Sequence, residues 1–582
     1  MFGNLSHLKK YFLRYKTKLI LGCVFILLSN IANVYIPLNV RQGIDSINEK
    51  NDFNVIINLL ILLLAAAIIS NIFRFFIRQT IIVVSREVEY DLRQDFWRHI
   101  QKLPLRFFQN NSTGNIMSHA TNDISAVRMF VGPSVMYTID NGIKFILTFS
   151  VMISLSPLLT LYALLPMPLL SFVVYIVMKK MHVKYTRIQE KMSDLTTRAQ
   201  ENFSGIRVIK SYEREEYEIV QYEKESAEYL KRKMDQVKLQ ALFMPVFFMI
   251  AGLSAIIVVL AGGSMVINKT LSVGVIVAFM LFLVDLIWPM ISFGWVANMI
   301  QQADASMKRL LKILNEPFEI SDENTDINIK GMNGDIEFKN VSFRYRENLP
   351  WVLRNINLKI ERGSTVAFIG NTGVGKTSLI NLLPRLYDVT DGSVLIDGND
   401  VRKIPLDVLR KNIGVVPQEN FLFSDTLANN IVYGLNNGAQ ELVDEVSKIA
   451  QLSKDVETFP HGYKTILGER GITLSGGQKQ RSTLARALAI DPKILILDDS
   501  FSAVDTHTEE EILKQLKNFM RDRTSIIISH RISTVKDSDK IFVLENGSIA
   551  EEGTHDELVE KGGIYSDLHM KQLLEKELSE MN

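Results

Sequence analysis

The feature that most limits the fold of this chain is a series of six long apolar segments in its first half. Their approximate spans are 18–40, 55–77, 135–155, 158–179, 241–265 and 273–299. A helix needs about 20 apolar residues to cross a bilayer, and each segment reaches or nears that length. We therefore predict an all-α domain over residues 1–315 with six membrane-spanning helices. The third and fourth segments are nearly fused at Ser156-Pro157, which predicts a very tight connection.

Basic residues lie outside these segments on one side of the predicted membrane. They precede the first segment and follow the fourth: Lys9, Lys10, Arg14, Lys16, Lys18, Lys179, Lys180, Lys184 and Arg187. Positive residues favour the cytoplasmic side, so we expect the N-terminus and the second half of the chain there. The N-terminus lacks the pattern of a removable signal peptide. Residues 1–15 are predicted to lie on the membrane surface, with Leu5, Leu8, Phe12 and Leu13 on one face; a frayed terminus is the alternative.

Ionisable residues also occur within the apolar segments. Asp285 lies well inside the sixth segment, and a charge at membrane depth rarely faces lipid, so we expect it to face a cavity on a substrate path. Arg74, Arg78, Asp140 and Lys144 are expected near the headgroups, where helix ends commonly carry charge. The alternative places some of these four along the substrate path. Asp140 and Lys144 are one helical turn apart and could pair.

Net charge and cysteine content limit the partners and the cysteine chemistry that we expect. The formal net charge is +1, so bulk electrostatics give no reason to expect a nucleic-acid partner. Cys23 is the only cysteine, which excludes a disulfide within the chain and a cysteine metal cluster.

Two charged, helix-like stretches separate the apolar segments, at residues 80–134 and 180–240. Each is too polar for a membrane and too long for a simple loop. We expect the membrane helices to continue beyond the bilayer and to turn there. Turn-forming residues interrupt the first stretch at Phe107–Gly114 and the second at Ser204-Gly205.

The second half of the chain has ordinary soluble composition. Residues 316–334 are polar and acidic and are predicted to form a linker. From Asp335 to the end at residue 582, strand-like and helix-like segments alternate, which predicts an α/β nucleotide-binding domain.

A phosphate-binding loop of the pattern G-x-x-x-x-G-K-[ST] follows a short apolar strand in this domain. Its residues are Gly370, Asn371, Thr372, Gly373, Val374, Gly375, Lys376 and Thr377, followed by Ser378. Backbone N–H groups of such a loop surround phosphate oxygens, and Lys376 reaches the β- and γ-phosphates. The Thr377 hydroxyl is offered to Mg²⁺. We expect ATP and Mg²⁺ as the bound groups.

Two further segments extend this site. The apolar strand Ile494–Asp498 ends in a carboxylate that we expect beside Mg²⁺. Leu474, Ser475, Gly476, Gly477 and Gln478 precede a helical run and offer backbone donors to a second phosphate site. A phosphate-binding loop with a separate anion site suggests that two chains enclose ATP between them.

With these motifs, the chain resembles an ATP-binding cassette (ABC) half-transporter of the exporter type. The resemblance covers six spans, their long extensions and one nucleotide-binding domain. It implies the Walker A loop at Gly370–Thr377, the Walker B carboxylate at Asp498 and the signature at Leu474–Gln478. It also implies an adenine-stacking ring at Tyr345, a Mg²⁺ contact at Gln418, a D-loop ending at Asp505 and a γ-phosphate contact at His530.

The resemblance further implies two coupling elements and a dimer. The coupling residues are Phe107, Phe108 and Gly114 in the first element, and Arg207 and Tyr212 in the second. The second element is expected to dock on the nucleotide-binding domain of the other subunit.

One residue departs from the family pattern. Family members that hydrolyse ATP well carry Glu after the Walker B Asp, and this chain has Asp499. The shorter side chain predicts slow turnover at this chain's own Walker site, because a general base contributes about 10²–10⁴-fold. The chain then resembles the Asp-bearing subunit of heterodimeric bacterial multidrug exporters, in the cytoplasmic membrane.

The expected partner is a second half-transporter with Glu at the matching position, and the expected substrates are small hydrophobic or amphipathic compounds. A homodimer that tolerates Asp is the first alternative, and a homodimeric lipid flippase is the closest rival in function. A peptide exporter, an importer and an ATP-gated channel are less favoured.

Overall fold

The computed structural model describes residues 3–435 and 438–580, which form two compact units. The first unit joins the residues up to Gln101 with Thr113–Asn315. The second joins the short segment Lys102–Ser112 with the residues from Glu316 onward. The segment 102–112, which was predicted to belong to the membrane domain, therefore packs with the nucleotide-binding unit.

The first unit is helical and contains six helices, within the described residues, that are long and apolar enough to cross a membrane. After the short α1 (Lys9–Arg14), these are α2 (Lys16–Asn48), α3 (Phe53–Ile100), α4 (Thr113–Leu155), α5 (Pro157–Ser204), α6 (Glu215–Ile267) and α7 (Val273–Leu314). Short helices at Leu105–Asn110 and Ile206–Ser211 lie between α3 and α4 and between α5 and α6. This is the predicted helical half of the fold class.

The connection between α4 and α5 is a single residue, Ser156. Its backbone is extended, and its hydroxyl accepts a hydrogen bond from the Leu159 amide at 3.3 Å, which caps the new helix. Pro157 begins α5 at the position where a missing N–H costs nothing. Within α5 the regular helix ends at Leu164 and resumes at Met167, so the segment predicted as continuous over 158–179 contains a break.

The N-terminal segment differs from its predicted place on the membrane surface. Leu5, Leu8 and Tyr11 are buried within the unit, whereas Leu13 is exposed. Three basic residues pair with acidic residues of α3: Lys10 with Asp95 at 2.8 Å, Arg14 with Asp91 at 2.6 Å and Lys18 with Glu87 at 2.5 Å. Both series repeat every four residues, so one face of each helix carries the matching charges. The segment therefore packs along α3.

The second unit contains two sheets. The four-stranded sheet has the order β2-β1-β4-β5, and the six-stranded sheet has the order β10-β9-β3-β8-β7-β6. The strands are β1 (Ile336–Phe343), β2 (Leu353–Ile360), β3 (Thr365–Ile369), β4 (Asp391–Ile396), β5 (Asn399–Asp400), β6 (Ile413–Val416), β7 (Ile494–Asp498), β8 (Thr524–Ile528), β9 (Lys540–Glu545) and β10 (Ser548–Gly553). This is the predicted α/β half of the fold class.

Helices surround these sheets. Those used below are α8 (Lys376–Asn381), α9 (Gly476–Ala489), α10 (Thr506–Met520) and α11 (Ile564–Glu580). Shorter helices span Leu406–Lys411, Leu427–Ile431, Gln440–Ile449, Ser453–Val456, Ile532–Val535 and His555–Glu560.

The strand register determines where the functional loops meet. Strands β3, β7 and β8 are parallel, with Phe368 and Asp498 each opposite Ile528. All three strands are largely apolar and almost entirely buried, as expected for strands covered on both faces. The loops that follow them therefore leave the same edge of the sheet, which is where ligands bind in open α/β sheets.

Candidate functional site

A cavity of about 290 Å³ lies at this edge of the sheet. It is lined by Tyr345, Val352, Thr372, Gly373, Gly375, Lys376, Thr377, Ser378, Gln418, Asp498, Asp499, Ile528 and His530. All of these except Val352 and Ile528 were predicted from sequence for the ATP or Mg²⁺ site. Gly370, Asn371 and Val374 belong to the same loop, although they do not line the cavity. The cavity includes no residue of the Leu474–Gln478 signature.

The loop needs glycine at two positions, because each has a positive φ and a carbonyl oxygen close to where a Cβ would lie. Gly370 has φ +150°, and a Cβ there would lie 2.4 Å from the Leu544 carbonyl oxygen of β9. Gly375 has φ +102°, and its Cβ would lie 3.0 Å from the Val352 carbonyl oxygen. Any side chain at either position would be strained and would displace the main chain. Glycine at these two positions therefore allows the loop to lie close to the main chain of Leu544 and of Val352.

Lys376 is buried with its ammonium group bonded to the loop itself. Its Nζ donates to the Gly370 carbonyl at 2.7 Å and to the Asn371 carbonyl at 2.9 Å. Burial lowers the pKa of this lysine, and the nearby carboxylates of Asp498 and Asp499 oppose that shift. A buried cation held only by carbonyl oxygens and partly balanced by carboxylates is suited to a strongly anionic ligand such as a triphosphate.

The carboxylate of Asp498 and the hydroxyl of Thr377 form a polar pair in the cavity. Thr377 Oγ1 donates to Asp498 Oδ2 at 2.9 Å. Asp498 is 3% exposed, and burial raises its pKa. A desolvated carboxylate beside oxygen ligands fits Mg²⁺, which prefers one or two carboxylates plus substrate phosphates. Within residues 3–435 and 438–580 no three acidic, histidine or cysteine residues are grouped so that they could hold a metal by themselves.

Asp499 follows directly and adopts a left-handed backbone, with φ +46°. Its amide donates to the Ile528 carbonyl at 2.9 Å, which ties the residue to β8. In the described part of the chain its carboxylate has no hydrogen-bond partner. Its side chain lines the cavity, so a longer acidic residue would have no hydrogen bond of this carboxylate to break.

His530 lines the same cavity. Burial lowers the pKa of its imidazole, and the positive charge of Lys376 lowers it further. The carboxylates of Asp499 and Asp498 oppose this shift, but the net lowering of the pKa favours the neutral ring over the imidazolium. Gln572 of α11 holds the main chain directly after this residue: its Nε2 donates to the His530 carbonyl at 2.6 Å, and its Oε1 accepts from the Ile532 amide at 2.9 Å. Gln572 was not predicted from the sequence, because no motif includes it.

Tyr345 reaches the cavity from the end of β1. Its ring makes edge contacts with Phe343 and Tyr387, at centroid distances of 4.9 and 5.2 Å. Its hydroxyl lies 2.7 Å from Ser378 Oγ. The predicted adenine-stacking ring is therefore fixed beside the phosphate-binding loop by an aromatic cluster.

The signature forms the first turn of α9. Ser475 Oγ accepts from the Gln478 amide at 3.2 Å, while Gln478 Oε1 accepts from the Ser475 amide at 3.0 Å. Between the two residues of this reciprocal capping box, Gly476 is exposed and Gly477 is half-buried. Leu474 is buried against the core. Asp505 caps α10 by accepting from the Thr508 amide at 2.9 Å.

Gln480 joins the signature helix to the D-loop and was not predicted. Its side chain is 3% exposed. Its Nε2 donates to Ser502 Oγ and its Oε1 accepts from the Ala503 amide, both at 3.0 Å. Gly477 lies beside the same segment, since a Cβ there would be 3.0 Å from the Ala503 carbonyl oxygen. A motif pattern could not reveal this link, because it depends on two loops that are distant in sequence.

The predicted coupling residues are divided between the two units. In the second unit, Phe107 is buried and packs edge-to-face against the half-exposed Phe108. The same segment is bonded to the rest of its unit through Arg106 with Glu319, in the predicted linker, and through Asn110 with Arg346.

The remaining coupling residues belong to the first unit. Gly114 lies near the start of α4 in open space, where a Cβ would meet no other atom within 4 Å. Arg207 lies on the exposed Ile206–Ser211 helix, and Tyr212, which follows it, is 75% exposed. An exposed aromatic residue at such a turn is available to another chain.

Asp285 is not free in the first unit. Its Oδ1 accepts from Lys144 Nζ at 2.9 Å, across α7 and α4. The pair suggested by the sequence, Asp140 with Lys144, is replaced by this one.

Comparison with known protein families agrees with this geometry. Residues 19–290 match the family model of the ABC transporter transmembrane region, and residues 353–502 match the family model described as ABC transporter. The multidrug resistance-like ATP-binding protein MdlA of Buchnera aphidicola is 32% identical over 98% of this chain and 99% of its own length. The chain belongs to the ABC transporter family. It is a half-transporter, with one six-helix membrane unit and one ATPase domain whose activity is coupled to transport.

Two further similarities bear on fold and function. The ATP-dependent lipid A-core flippase of Syntrophus aciditrophicus is 36% identical over 85% of this chain and 82% of its own length. A bacterial Atm1-family ABC exporter, solved with ATP bound, superposes with a TM-score of 0.76 over 96% of this chain and 98% of that one, at 24% identity. The last similarity supports the fold alone.

Proposed function

We propose that this ABC half-transporter is the slow-site subunit of a heterodimeric exporter of amphipathic compounds. The observation that carries the proposal is the composition of the cavity. It contains a complete set of Walker residues with Asp499 in place of Glu, and it lacks the signature residues. A second chain is needed to supply a signature to this cavity. The signature of this chain, at Leu474–Gln478, is then available to the partner's cavity.

The assignment of roles follows from the contacts described above. Lys376 neutralises the β- and γ-phosphates, and Tyr345 receives the adenine ring. Thr377, Asp498 and Gln418 would hold Mg²⁺, which supplies charge neutralisation to the transferred phosphoryl group when it is bound. His530, whose lowered pKa favours the neutral ring, would donate one ring N–H to the γ-phosphate. Asp499 would orient the attacking water.

The shorter acid at position 499 lowers turnover without lowering ATP affinity. Asp is one methylene shorter than Glu, which moves the carboxylate back by about 1.5 Å, and a misplacement on that scale can cost about 10²-fold in rate. All the groups that contact phosphate or Mg²⁺ are retained. This site would therefore hold ATP for long periods, and faster hydrolysis would take place across the dimer at the partner's Walker motifs.

ATP binding would close the two nucleotide-binding domains, and the coupling elements would transmit that closure to the membrane helices. The name of the MdlA relative, multidrug resistance-like, supports amphipathic compounds as substrates. The lysines and arginines that flank the apolar segments support an orientation in a bacterial membrane with the nucleotide-binding domain in the cytoplasm.

The test compares ATPase activity of the purified chain with that of the chain co-expressed with each candidate partner whose Walker B motif ends in Asp-Glu. We expect low activity of the chain alone and high activity of one complex. The matched variant Asp499→Ala should change the activity of that complex little. Robust activity of the pure homodimer that Asp499→Ala leaves unchanged would reject the heterodimer assignment.

A homodimeric lipid flippase is the second candidate, because of the similarity to the Syntrophus aciditrophicus flippase. Both candidate functions include ATP hydrolysis, so an assay of substrate transport is needed to distinguish them. Transbilayer movement of a labelled lipid by the pure chain in liposomes, dependent on Lys376, would favour the flippase. Uptake of a small amphipathic dye into inverted vesicles without lipid movement would favour the exporter.

A further inference from the structure

A line of polar contacts runs between α4 and α7 inside their apolar stretches. From one end, the contacts are the Tyr137 and Trp295 rings at a centroid distance of 5.4 Å, Asn141 Nδ2 donating to Ser292 Oγ at 2.7 Å, and Lys144 Nζ bonded to Asp285 Oδ1 at 2.9 Å. The residue numbers rise on one helix as they fall on the other, so the helices are antiparallel here. Polar side chains at such positions are costly unless they serve packing or function.

The neighbouring face of α4 carries Asp140, which contacts α2. Asn30 Nδ2 donates to Asp140 Oδ1 at 2.7 Å. Asn30 is buried and lies in the middle of the apolar segment of α2 predicted over 18–40. Asp140 therefore contacts a polar side chain inside an apolar helix, and its expected place near the headgroups stays a prediction.

Asp140 differs from the neighbouring charged residues because it has no ion pair. Lys144 is matched by Asp285, and both side chains are largely buried, at 14% and 29% exposure. Among the ion pairs of residues 3–435 and 438–580, none includes Asp140. Its carboxylate accepts a hydrogen bond from the neutral amide of Asn30, so no ion pair offsets its negative charge.

Hydrogen-bond acceptors are in excess nearby. Asn141 Oδ1 is buried and has no hydrogen-bond partner in the described structure. Pro289 of α7 has no N–H, so the carbonyl of Asp285 four residues earlier loses its helical donor. Trp295 is 45% exposed and offers an aromatic ring one turn from Ser292. Carboxylate, carbonyl oxygens and aromatic faces are the groups that attract an organic cation.

We propose that Asp140 is the recognition group of a binding site for lipophilic monocations, between α2, α4 and α7. The inference rests on the proposed export function and specifies the charge of its substrates. The Lys144–Asp285 pair is then a positioning contact that keeps α4 against α7, so that Asp140 and not Asp285 is available to a substrate. The positive charge of the substrate would neutralise the carboxylate of Asp140, and its apolar body would lie against the Tyr137 and Trp295 rings.

The test measures binding of radiolabelled tetraphenylphosphonium to the full transporter in nanodiscs, with uncharged triphenylphosphine oxide as the matched neutral probe. Asp140→Asn keeps the contact with Asn30 while removing the charge. We expect it to weaken tetraphenylphosphonium binding about ten- to a hundredfold, as for loss of a charge-assisted contact, and to leave the neutral probe unaffected. The control Asp52→Asn removes one charge at an exposed helix cap, where Asn serves equally well, and should change neither.

A second variant keeps the proposal open to refutation even if Asp140→Asn folds poorly. Lys144→Met combined with Asp285→Asn removes the ion pair and leaves Asp140 as the only charge of the three. We expect it to retain tetraphenylphosphonium binding. Loss of cation binding in this double variant with retention in Asp140→Asn would overturn the proposal, as would absence of tetraphenylphosphonium binding by the wild type. Export of neutral compounds would persist in either case if only this inference, and not the proposed function, is wrong.

Discussion

Replacing Gln480 by leucine tests whether the signature helix and the D-loop must be held together for turnover. The side chain is buried at 3% exposure and makes two hydrogen bonds of 3.0 Å, to Ser502 Oγ and from the Ala503 amide. Leucine is apolar and similar in volume, so it fills the space without leaving a buried polar group. Ser502 and Ala503 are both exposed, so water can replace the lost partners.

The substitution then loses the net free energy of two hydrogen bonds, about 1 kcal/mol each. A total of about 2 kcal/mol corresponds to a roughly 30-fold fall in the population with the D-loop in place. We expect ATPase turnover to fall by up to about that factor. The affinity for ATP should not change, because Gln480 does not line the cavity. The control Gln440→Leu removes a single surface contact, with Asp444, and should leave turnover unchanged.

The assay is steady-state ATPase activity of the reconstituted transporter, with ATP binding and thermal unfolding measured on the same samples. A loss of about 2 kcal/mol lowers the Tm of a domain of this size by no more than about 8 °C. Wild-type turnover of Gln480→Leu would refute the link. Loss of ATP binding together with turnover would show that the variant disturbs the fold and not the D-loop.

Three further predictions concern the same domain. Asp499→Glu should raise turnover at this chain's Walker site by about 10²-fold, because the added methylene moves the carboxylate toward the attacking water. Turnover is measured in a complex whose other site is inactivated. No increase would mean that another group limits the rate. The His530 ring should titrate below its ordinary pKa of about 6.5 in nucleotide-free protein, followed by NMR of labelled histidine, because burial and Lys376 disfavour the imidazolium. Removing that neighbouring charge with Lys376→Met should move the His530 pKa upward, and an unchanged value would contradict the assignment. Gln572→Leu should lower turnover about tenfold or more at unchanged ATP affinity, since it releases two bonds that hold the His530 main chain, whereas an equal loss of binding would indicate a general structural defect.

Sequence was a reliable guide where a property is local. Each membrane helix needs about 20 consecutive apolar residues, which can be read directly from the chain. The phosphate-binding loop has its glycines, lysine and threonine within one short run of residues, so pattern and geometry coincide at Gly370–Thr377. Asp498 was predictable because it ends an apolar strand.

The N-terminal segment shows why other expectations failed. Its amphipathic pattern is equally compatible with a membrane surface and with a protein surface. The difference lies in the acidic residues Glu87, Asp91 and Asp95 on another helix, which provide partners for the basic face. Only the packing of two distant segments reveals that match.

The sequence by itself determined that this chain has six apolar helices, a phosphate-binding loop, a signature and an aspartate after the Walker B carboxylate. Each of these is encoded by composition or by a short run of residues. The tertiary structure decided which distant side chains share a contact: Gln480 with the D-loop, Gln572 with His530, and Lys144 with Asp285 in place of Asp140. A hydrogen bond or an ion pair needs atoms within about 3 Å, and spacing along the chain does not specify distances between helices.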